Sequence, residues 1–197
     1  MTMPDSLRNL ADERNGVITT AQAGMAGISR ERLRQLANAG VLERLGAGVY
    51  ITPDAAPDKL FIAQTQKPKL IYSHETALYL HDLTDRDPIG YSVTVPRGYN
   101  AASLSNEGFT VYTVKRDLHE MGTSQVKTIF GNIVTAYGLE RTICDCIRSK
   151  NQMDIAIVTD AVKRYARRRD KNLNVLMQMA ETFRVVKPLK NYLEVLL

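Results

Sequence analysis

The stretch Gly16–Ile51 changes its spacing of apolar residues along its length and predicts a helix, a tight turn, a second helix and a β-hairpin. In the second helix, Leu33 and Leu36 recur at the spacing of one buried helical face. Ser29 precedes this helix as an N-cap, because its hydroxyl can accept a hydrogen bond from a free amide of the first turn. Gly40 follows it and supplies the left-handed backbone at which helices end.

The segment after this helix alternates between apolar and polar positions, as a half-buried strand does. Val41–Leu45 forms the first predicted strand, Gly46–Gly48 a tight turn, and Val49–Ile51 the returning strand. Two helices joined by a turn and followed by a glycine-tipped hairpin are the order of a winged helix-turn-helix. The N-terminal part of the chain is therefore predicted to have this fold.

The exposed face of the second helix carries side chains that suit DNA. Arg30 and Arg34 lie four residues apart and project from nearly the same side. Together with Gln35 they are expected to contact base edges, while Arg32 and Arg44 are expected to contact phosphates. The predicted DNA-binding residues are Ser29, Arg30, Arg32, Arg34, Gln35, Asn38 and Arg44.

An alternative interpretation needs no nucleic acid. Glu31 and Glu43 lie within the predicted footprint and dilute its positive charge. On that basis the segment would be a small helical domain with a solvated charged face. The agreement of cap, periodic core, helix stop and wing favours the winged helix.

Shorter signals organise the rest of the N-terminal domain, which is predicted to span residues 1–66. Its further elements are a helix over 6–14 capped by Asp5, the extended pair Val17-Ile18, a helix that Thr19 or Thr20 caps and that leads to Met25, and a short helix over 59–66. Pro68 follows the last of these and is the best candidate for a domain boundary.

The C-terminal domain, predicted to span residues 67–197, changes from strands to helices along its length. It opens with Leu70-Ile71-Tyr72. Its predicted strands are 91–96, 109–114, 126–130 and 133–137, and its predicted helices are 74–81 with Ser73 as N-cap, 139–149, 154–169, 173–183 and 189–197. Gly131-Asn132 fits a two-residue hairpin turn, and strands without regular helices between them favour a mainly antiparallel sheet. The predicted class is α+β, a winged helix-turn-helix followed by this sheet and a helical C-terminal part.

Composition places the chain among soluble globular proteins, with 44% hydrophobic and 24% charged residues. No apolar run approaches the ~20 residues that span a bilayer, and the first residues lack the apolar core of a signal peptide. We therefore expect a cytoplasmic protein without a membrane partner. Cys144 and Cys146 point to roughly opposite sides of a predicted helix, so reduced thiols are expected rather than a disulfide.

The charge is unevenly distributed. The chain has a formal net charge of +5, yet positive and negative side chains balance within residues 1–66. The densest basic run lies at the end of a predicted helix and comprises Lys163, Arg164, Arg167, Arg168, Arg169 and Lys171. Cations at a helix C-terminus complement its dipole, and a solvated helix end explains them equally well. Beside a helix-turn-helix, the run becomes a candidate second basic surface for an anionic partner.

Candidate catalytic and metal-binding residues are few. His74 and His81 share a predicted helix face, but two turns separate them by about 10.5 Å, too far to share one ion. His119 is expected at the surface. A small polar cluster of Glu140, Arg141 and Asp145 is best interpreted as a structural ion pair, since 141 and 145 lie four apart. No phosphate-binding loop, nucleophile elbow or zinc-protease helix occurs, so we expect no enzymatic activity, metal or cofactor.

The N-terminal pattern resembles the AbiEi antitoxins of bacterial abortive-infection toxin–antitoxin operons. The matching elements are Gly16-Val17, Gly27-Ile28-Ser29, Gly40-Val41-Leu42 and Gly48-Val49-Tyr50. The second half is similar more loosely, through Ser73–Leu78, Leu80–Leu83 and Leu139–Asp145. The similarity therefore extends over most of the chain, with its specific part in the first third.

This resemblance implies a two-domain regulator used in phage defence. The winged helix would bind inverted repeats in double-stranded DNA of its own promoter and repress the operon. The C-terminal domain would counteract a nucleotidyltransferase-like toxin without a stable complex, as in type IV systems. Two alternatives are a transcription factor that responds to a small-molecule ligand and an enzyme that modifies the toxin or nucleic acid.

Overall fold

The structure, a computed structural model, describes residues 2–196, with side chains up to residue 194. The described helices are α1 Asp5–Asp12, α2 Thr20–Met25, α3 Arg30–Asn38, α4 Lys59–Gln66, α5 His74–Leu80, α6 Ala102–Asn106, α7 Leu139–Arg148, α8 Ile155–Arg167, α9 Leu173–Thr182 and α10 Val186–Leu196. The described strands are β1 Val17–Thr19, β2 Glu43–Gly46, β3 Val49–Ile51, β4 Ile71–Tyr72, β5 Ser92–Pro96, β6 Thr110–Val114, β7 Thr123–Lys127 and β8 Ile133–Tyr137. The predicted last helix extended to Leu197, which lies outside the described residues. Within the described part, every helix is too short or too polar to cross a bilayer.

The chain divides into two compact units. The N-unit comprises the chain up to Pro68 together with Lys127–Val134, and the C-unit comprises Lys69–Val126 and the chain from Thr135 onward. The sequence suggested a division between residues 66 and 67 and gave no sign that a later segment returns to the N-unit. Such a return depends on contacts between residues far apart in the chain, which local patterns do not encode.

The N-unit combines helices α1–α3 with a three-stranded antiparallel sheet in the order β1-β3-β2. Its core is formed by Leu7, Ala11, Ile18, Ala23, Leu33, Leu36, Leu42 and Tyr50. This is the predicted winged helix-turn-helix. The segment predicted only as extended becomes β1, and Val17 pairs with Ile51 to place β3 at the centre of the sheet.

Of two predicted caps, the structure confirms one and corrects the other. Thr19, one of two candidates, caps α2: its hydroxyl accepts a hydrogen bond from the Gln22 amide at 3.2 Å, and the Gln22 side chain accepts from the Thr19 amide at 3.0 Å. This reciprocal pair is a capping box. Asp5 was expected to cap α1, but Pro4 holds that position and Asp5 lies in the first turn. There its carboxylate is next to the positive end of the helix dipole.

Asp58 holds the returning segment within the N-unit. One oxygen of its buried carboxylate accepts a hydrogen bond from the Phe61 amide and caps α4. The other accepts from Thr128 Oγ1 at 2.6 Å and from Asn132 Nδ2 at 2.9 Å. The turn therefore extends over residues 128–132, and the prediction of a two-residue turn at Gly131-Asn132 is wrong. Asn132 belongs to the base of the loop, where its carbonyl oxygen also accepts a 2.9 Å backbone hydrogen bond from the Thr128 amide.

The C-unit contains a five-stranded sheet in the order β6-β5-β4-β8-β7. β4 pairs with β5 antiparallel, whereas β4 with β8 and β5 with β6 are parallel pairs. The sheet is therefore mixed, where the sequence favoured a mainly antiparallel arrangement. The short helix α6 lies between β5 and β6 and makes their parallel pairing possible. Its polar sequence has no apolar period, which is why it escaped prediction.

Helices α7–α10 form the helical C-terminal part that the sequence predicted. Their core contains Ile143, Cys144, Cys146, Ile147, Val158, Ala161, Val162, Tyr165, Leu176, Ala180, Phe183, Val185 and Leu189. Both cysteines are free thiols and buried. Burial raises the pKa of the Cys144 thiol to about 12, so this thiol stays protonated at neutral pH.

A buried ion pair lies at the centre of this packing. Arg141 and Asp145 have fully buried side chains, and Arg141 Nε donates to Asp145 Oδ2 at 2.8 Å. The Arg141 guanidinium lies between the rings of Tyr137 and Phe183, 3.9 Å from each ring centre. Arg148 Nη2 approaches the second Asp145 oxygen at 3.0 Å. The interpretation of this cluster as a structural ion pair is confirmed.

The remaining member of the predicted polar cluster also makes structural contacts. Glu140 Oε1 accepts hydrogen bonds from the Tyr165 hydroxyl and from the Asn172 amide, both at 3.0 Å. It thereby joins α7 to the end of α8 and the start of α9. All three members of the cluster are thus engaged inside the C-unit.

His74 forms a second buried polar centre. Its ring stacks on Tyr112 with 3.4 Å between ring centres. Nδ1 lies 2.9 Å from Ser73 Oγ, and Nε2 lies 3.1 Å from Ser149 Oγ. Ser73 is the N-cap residue of α5, but its side chain makes no cap hydrogen bond and accepts one from Thr94 Oγ1 instead. The expected role of the Ser73 hydroxyl as a helix cap is therefore wrong.

The other histidines contact the backbone. His81 Nε2 lies 2.7 Å from the Tyr137 carbonyl oxygen. His119 was expected at the surface, but it is buried, with Nε2 3.3 Å from the Thr94 carbonyl oxygen. Thr94 lies 25 positions earlier in the chain, so the residues around His119 give no sign of this contact. Among the described residues, no group of three His, Cys, Asp or Glu side chains is arranged to hold a metal ion.

Acid should destabilise the protein through His74. Burial and the nearby Arg148 and Arg141 charges lower the pKa of His74 from 6.5 to about 3. Between these values the unfolded chain binds a proton that the folded chain does not bind. Stability is therefore complete above pH 6.5 and falls on acidification, by up to about 1.4 kcal/mol per pH unit from this group.

Urea unfolding followed by circular dichroism between pH 7 and 4 measures this dependence. Replacement His74→Gln keeps a polar side chain that does not titrate, so its curve should fall less steeply than that of the wild type. If the free energy of unfolding falls equally with pH in both proteins, His74 is not a source of the acid sensitivity.

Removing one partner of the buried pair should be costly. Arg141→Met leaves the buried Asp145 carboxylate with Arg148 alone and should lower the free energy of unfolding by about 3–5 kcal/mol. Arg141→Met combined with Asp145→Leu removes both charges and should recover much of this loss. Arg86→Met, which breaks an exposed ion pair to Asp154, is the control and should cost less than about 1 kcal/mol. If Arg141→Met lowers the free energy of unfolding no more than the control does, the buried Arg141–Asp145 pair is not central to stability.

Candidate nucleic-acid interface

Helix α3 begins and ends where its sequence predicts. Ser29 Oγ accepts a hydrogen bond from the Arg32 amide at 3.1 Å and caps the helix. Leu33 and Leu36 are fully buried and anchor its inner face in the N-unit core. Gly40 follows with a backbone φ of +71°, a left-handed conformation that glycine adopts without strain. The opposite face of α3 is therefore held outward by packing on the core.

The predicted contact residues divide between two sides of this helix. Arg30 and Arg34 are exposed one turn apart, and Gln35 and Asn38 are exposed beside them. Arg32 is half-buried and lies about 200° around the helix from Arg30. Arg32 is thus separated from the other two arginines of α3.

The wing is a short hairpin fixed against α2. Its strands β2 and β3 pair Arg44 with Tyr50, and the register shifts between Arg44 and Gly46. The Thr20 amide donates to the Gly48 carbonyl oxygen at 2.8 Å. Gly48 has φ +75°, and a Cβ on it would come within 3.0 Å of Thr20 Oγ1. Only glycine fits here without strain, so the tip of the wing has a defined position.

The wing brings a third arginine to the arginines of α3. Arg44 Nε donates to the Gly46 carbonyl oxygen at 3.3 Å, which orients the guanidinium along the hairpin. Arg30, Arg34 and Arg44 line one concavity of about 470 Å³. The remaining lining residues are Thr20, Glu31, Ala47, Gly48 and Tyr50. We call this concavity with its eight residues the arginine cleft.

The sequence predicted the three arginines of the cleft but missed Thr20 and Tyr50. Thr20 was considered only as a helix cap. Tyr50 was assigned to a strand of the hairpin. Its position opposite Arg44 was the signal that could have indicated its place in the cleft. Both residues therefore had visible structural roles that concealed their place in the cleft.

One carboxylate lies among the cations of the arginine cleft. Glu31 Oε2 is 3.2 Å from Arg34 Nη2, which also donates to Glu31 Oε1 at 3.3 Å. Both side chains are more than half exposed. An exposed pair of this kind contributes little to stability, so both groups stay available to a partner. The cleft thus offers fork-shaped donors for guanine or phosphate and one acceptor for a base amino group.

The predicted second basic surface is smaller than its sequence suggests. Arg164 pairs with Asp85 and with Asp160, and its Nε lies 2.7 Å from the Asp160 carboxylate. The Arg164 guanidinium holds the pKa of Asp85 below its usual value. Arg168 pairs with Asp170 at 2.8 Å and donates to the His81 carbonyl oxygen at 3.0 Å. The assignment of Arg164 and Arg168 to a free basic surface is therefore corrected: their charges are neutralised by carboxylates inside the C-unit.

The remaining cations of the run, unlike Arg164 and Arg168, are not paired with carboxylates in the part of the chain that the structure describes. Lys171 Nζ donates to the Arg168 carbonyl oxygen at 2.9 Å and closes the turn after α8. Lys163, Arg167 and Arg169 are exposed, and they make no ion pair with any described residue. We call these three residues the free basic patch. It is the exposed part of the run that the described carboxylates leave unpaired at the end of α8.

The N-unit is a winged-helix domain, defined by its helix-turn-helix, its three-stranded sheet and the arginines that line the cleft between helix and wing. Comparison with known families indicates which winged-helix proteins this domain is similar to. Residues 5–53 match the family described as "Transcriptional regulator, AbiEi antitoxin". The match covers the whole helix-turn-helix and wing and confirms the resemblance recognised from the sequence. None of the curated proteins matches the chain.

The whole fold is similar to a solved structure. The crystal structure of the RV2827C protein from Mycobacterium tuberculosis superimposes with a TM-score of 0.56. The similarity covers 91% of this chain and 72% of that chain, at 16% sequence identity. At this identity the likeness concerns the fold. It extends beyond residues 5–53 and therefore includes most of the C-unit.

Proposed function

We propose that this protein is a non-enzymatic antitoxin and transcriptional autorepressor. The N-unit binds inverted repeats in the promoter of its own operon in the cytoplasm, and the C-unit counteracts the toxin of the same operon. The observation that carries the proposal is the arginine cleft, which combines cations from α3 and the wing within the segment that matches the AbiEi family. A winged helix uses these two elements to engage DNA.

Binding places α3 in the major groove. Arg30, Arg34 and Gln35 then meet base edges, because forked guanidinium and amide groups match the donors and acceptors that bases present there. Arg44 on the wing meets the adjacent backbone or minor groove. Arg32, half-buried on the other flank of α3, meets phosphates on the opposite side. Ser29 and Asn38 complete the contact at the two ends of the helix.

The antitoxin function is assigned to the C-unit. The name of the matched family includes an antitoxin, and the resemblance in sequence implies a nucleotidyltransferase-like toxin that is counteracted without a stable complex. The free basic patch gives the C-unit a surface for an anionic target, since clustered cations gain free energy by releasing counterions from a polyanion. We propose that this patch participates in neutralisation.

Replacing two arginines of α3 tests the DNA-binding site. Arg30→Ala combined with Arg34→Ala should weaken binding to the promoter fragment by on the order of 1–3 kcal/mol for each base that an arginine no longer reaches. Fluorescence anisotropy with the labelled fragment measures the dissociation constant, and circular dichroism checks the fold.

Arg8→Ala combined with Lys59→Ala is the matched control. It removes the same charge from exposed positions of the N-unit outside the arginine cleft. We expect the control to bind the promoter nearly as the wild type does. Equal weakening in both double variants, or no weakening in either, would contradict recognition by α3.

Removing the free basic patch tests the assignment of the C-unit. Lys163→Ala, Arg167→Ala and Arg169→Ala together should weaken protection of cells that express the toxin gene of the same operon, because the anionic target is then bound less tightly. Promoter binding by the N-unit, measured in parallel, should remain specific. Growth after toxin induction is the readout.

Three exposed lysines elsewhere in the C-unit provide a charge-matched control for this variant. They are Lys69, Lys115 and Lys150, each replaced by Ala. Full protection by the patch variant would show that the patch has no part in neutralisation. Equally weakened protection in both triple variants would show that only total charge matters.

A further inference from the structure

An acidic residue occupies the most outward position of helix α3. Leu33, Leu36 and Ala37 define the inner face of the helix. At about 100° per residue, Glu31 lies roughly 165° from the mean direction of these three side chains. Its side chain is 58% exposed. A helix that enters a groove with its outer face first therefore presents this carboxylate to the bases.

Besides Arg34, the neighbours of Glu31 on this face are amides. Asn38 and Gln35 lie within about 40° of it around the helix axis, and both are exposed. Arg30 and Arg34 lie toward the wing, where they line the arginine cleft. The centre of the recognition surface is thus polar with one negative charge, and the positive charges flank it.

A carboxylate at this point is unfavourable for unspecific binding. It repels phosphates, and it can accept hydrogen bonds but cannot donate them. In the major groove, the donors are the amino groups of cytosine and adenine, and a carboxylate pairs best with cytosine N4. Only a sequence that supplies such a donor at the right position compensates for the dehydration of Glu31.

We propose that Glu31 is a specificity-determining residue of the DNA site and accepts a hydrogen bond from a cytosine amino group of the operator. The inference rests on the proposed function and adds a residue that the predicted contact set did not contain. Arg34 is part of the same recognition surface, because its guanidinium lies 3.2 Å from the Glu31 carboxylate. The Arg34 fork, which matches a guanine, therefore lies directly beside the Glu31 carboxylate.

Glu31 also has a structural role, which the test must distinguish from recognition of a base. It lies in the first turn of α3, where a negative charge stabilises the helix dipole. Removing that role alone would lower the melting temperature slightly and would weaken binding to every DNA sequence alike. Removing a hydrogen bond to a base instead changes the ratio between operator and unrelated DNA.

The experiment measures dissociation constants of the full chain for its own promoter fragment and for a scrambled fragment. Glu31→Gln removes the charge and keeps the size of the side chain, and Glu31→Ala removes the whole acceptor. Both changes are at an exposed position, so both proteins should fold. Glu13→Gln removes an exposed carboxylate of the N-unit outside the arginine cleft and is the control.

We expect the ratio of scrambled to promoter dissociation constants to fall about tenfold or more in both Glu31 variants, from the energy of one hydrogen-bonded base. Scrambled DNA should bind more tightly, because a repulsive charge is gone. In promoter fragments with single base-pair changes, the wild type should discriminate at one C·G pair at which Glu31→Gln no longer discriminates. The control should keep the wild-type ratio.

Three results would overturn the proposal. An unchanged ratio with equal or weaker binding of both fragments in both Glu31 variants would reduce Glu31 to a helix-stabilising residue. A gain in affinity that is equal for both fragments would show that its charge acts only by repulsion. In either case a wild type that still prefers its promoter leaves the proposed function standing. A wild type without any preference for its promoter would remove the proposed function and this inference together.

Discussion

Strand β3 is the element on which the arrangement of the N-unit depends. Its residues Val49–Ile51 are all buried, and the strand pairs with β1 on one side and β2 on the other. β1 continues directly into α2 and thus into the helix-turn-helix, while β2 carries Arg44. A strand of three residues therefore fixes the distance between α3 and the wing. The convergence of three arginines in one cleft follows from this pairing.

Local signals were sufficient to predict the elements of this site. Ser29 and Gly40 each act through a nearby backbone group, so their effect is visible in a few residues of sequence. The same reasoning predicted helices α3, α4 and α7–α10 within a residue or a few at their ends. The matching of residues 5–53 to a family of regulators rests on the same segment.

Features that depend on distant residues escaped prediction. Asp58 binds Thr128 and Asn132 across about 70 positions, and Arg164 binds Asp85 across 79. Such pairs leave no local pattern, so the hairpin turn was predicted too short and the basic surface too large. A count of charges along a helix thus overestimates what is available to a partner. Of the six cations of the C-unit run, three are exposed and make no ion pair with any described residue.

The distribution of charge bears on the proposed mode of DNA binding. Positive and negative side chains balance over residues 1–66, and Lys67 and Lys127 give the N-unit a small positive excess. So small an excess attracts polyanions only weakly, so the proposed recognition of DNA requires contacts to bases. The most direct test is a gel-shift titration of the wild type with DNA upstream of its own gene, at two salt concentrations and with scrambled competitor. Specific recognition predicts a shifted band that survives excess competitor at both salt concentrations. If scrambled competitor removes the shifted band as effectively as unlabelled promoter DNA does, specific recognition is contradicted.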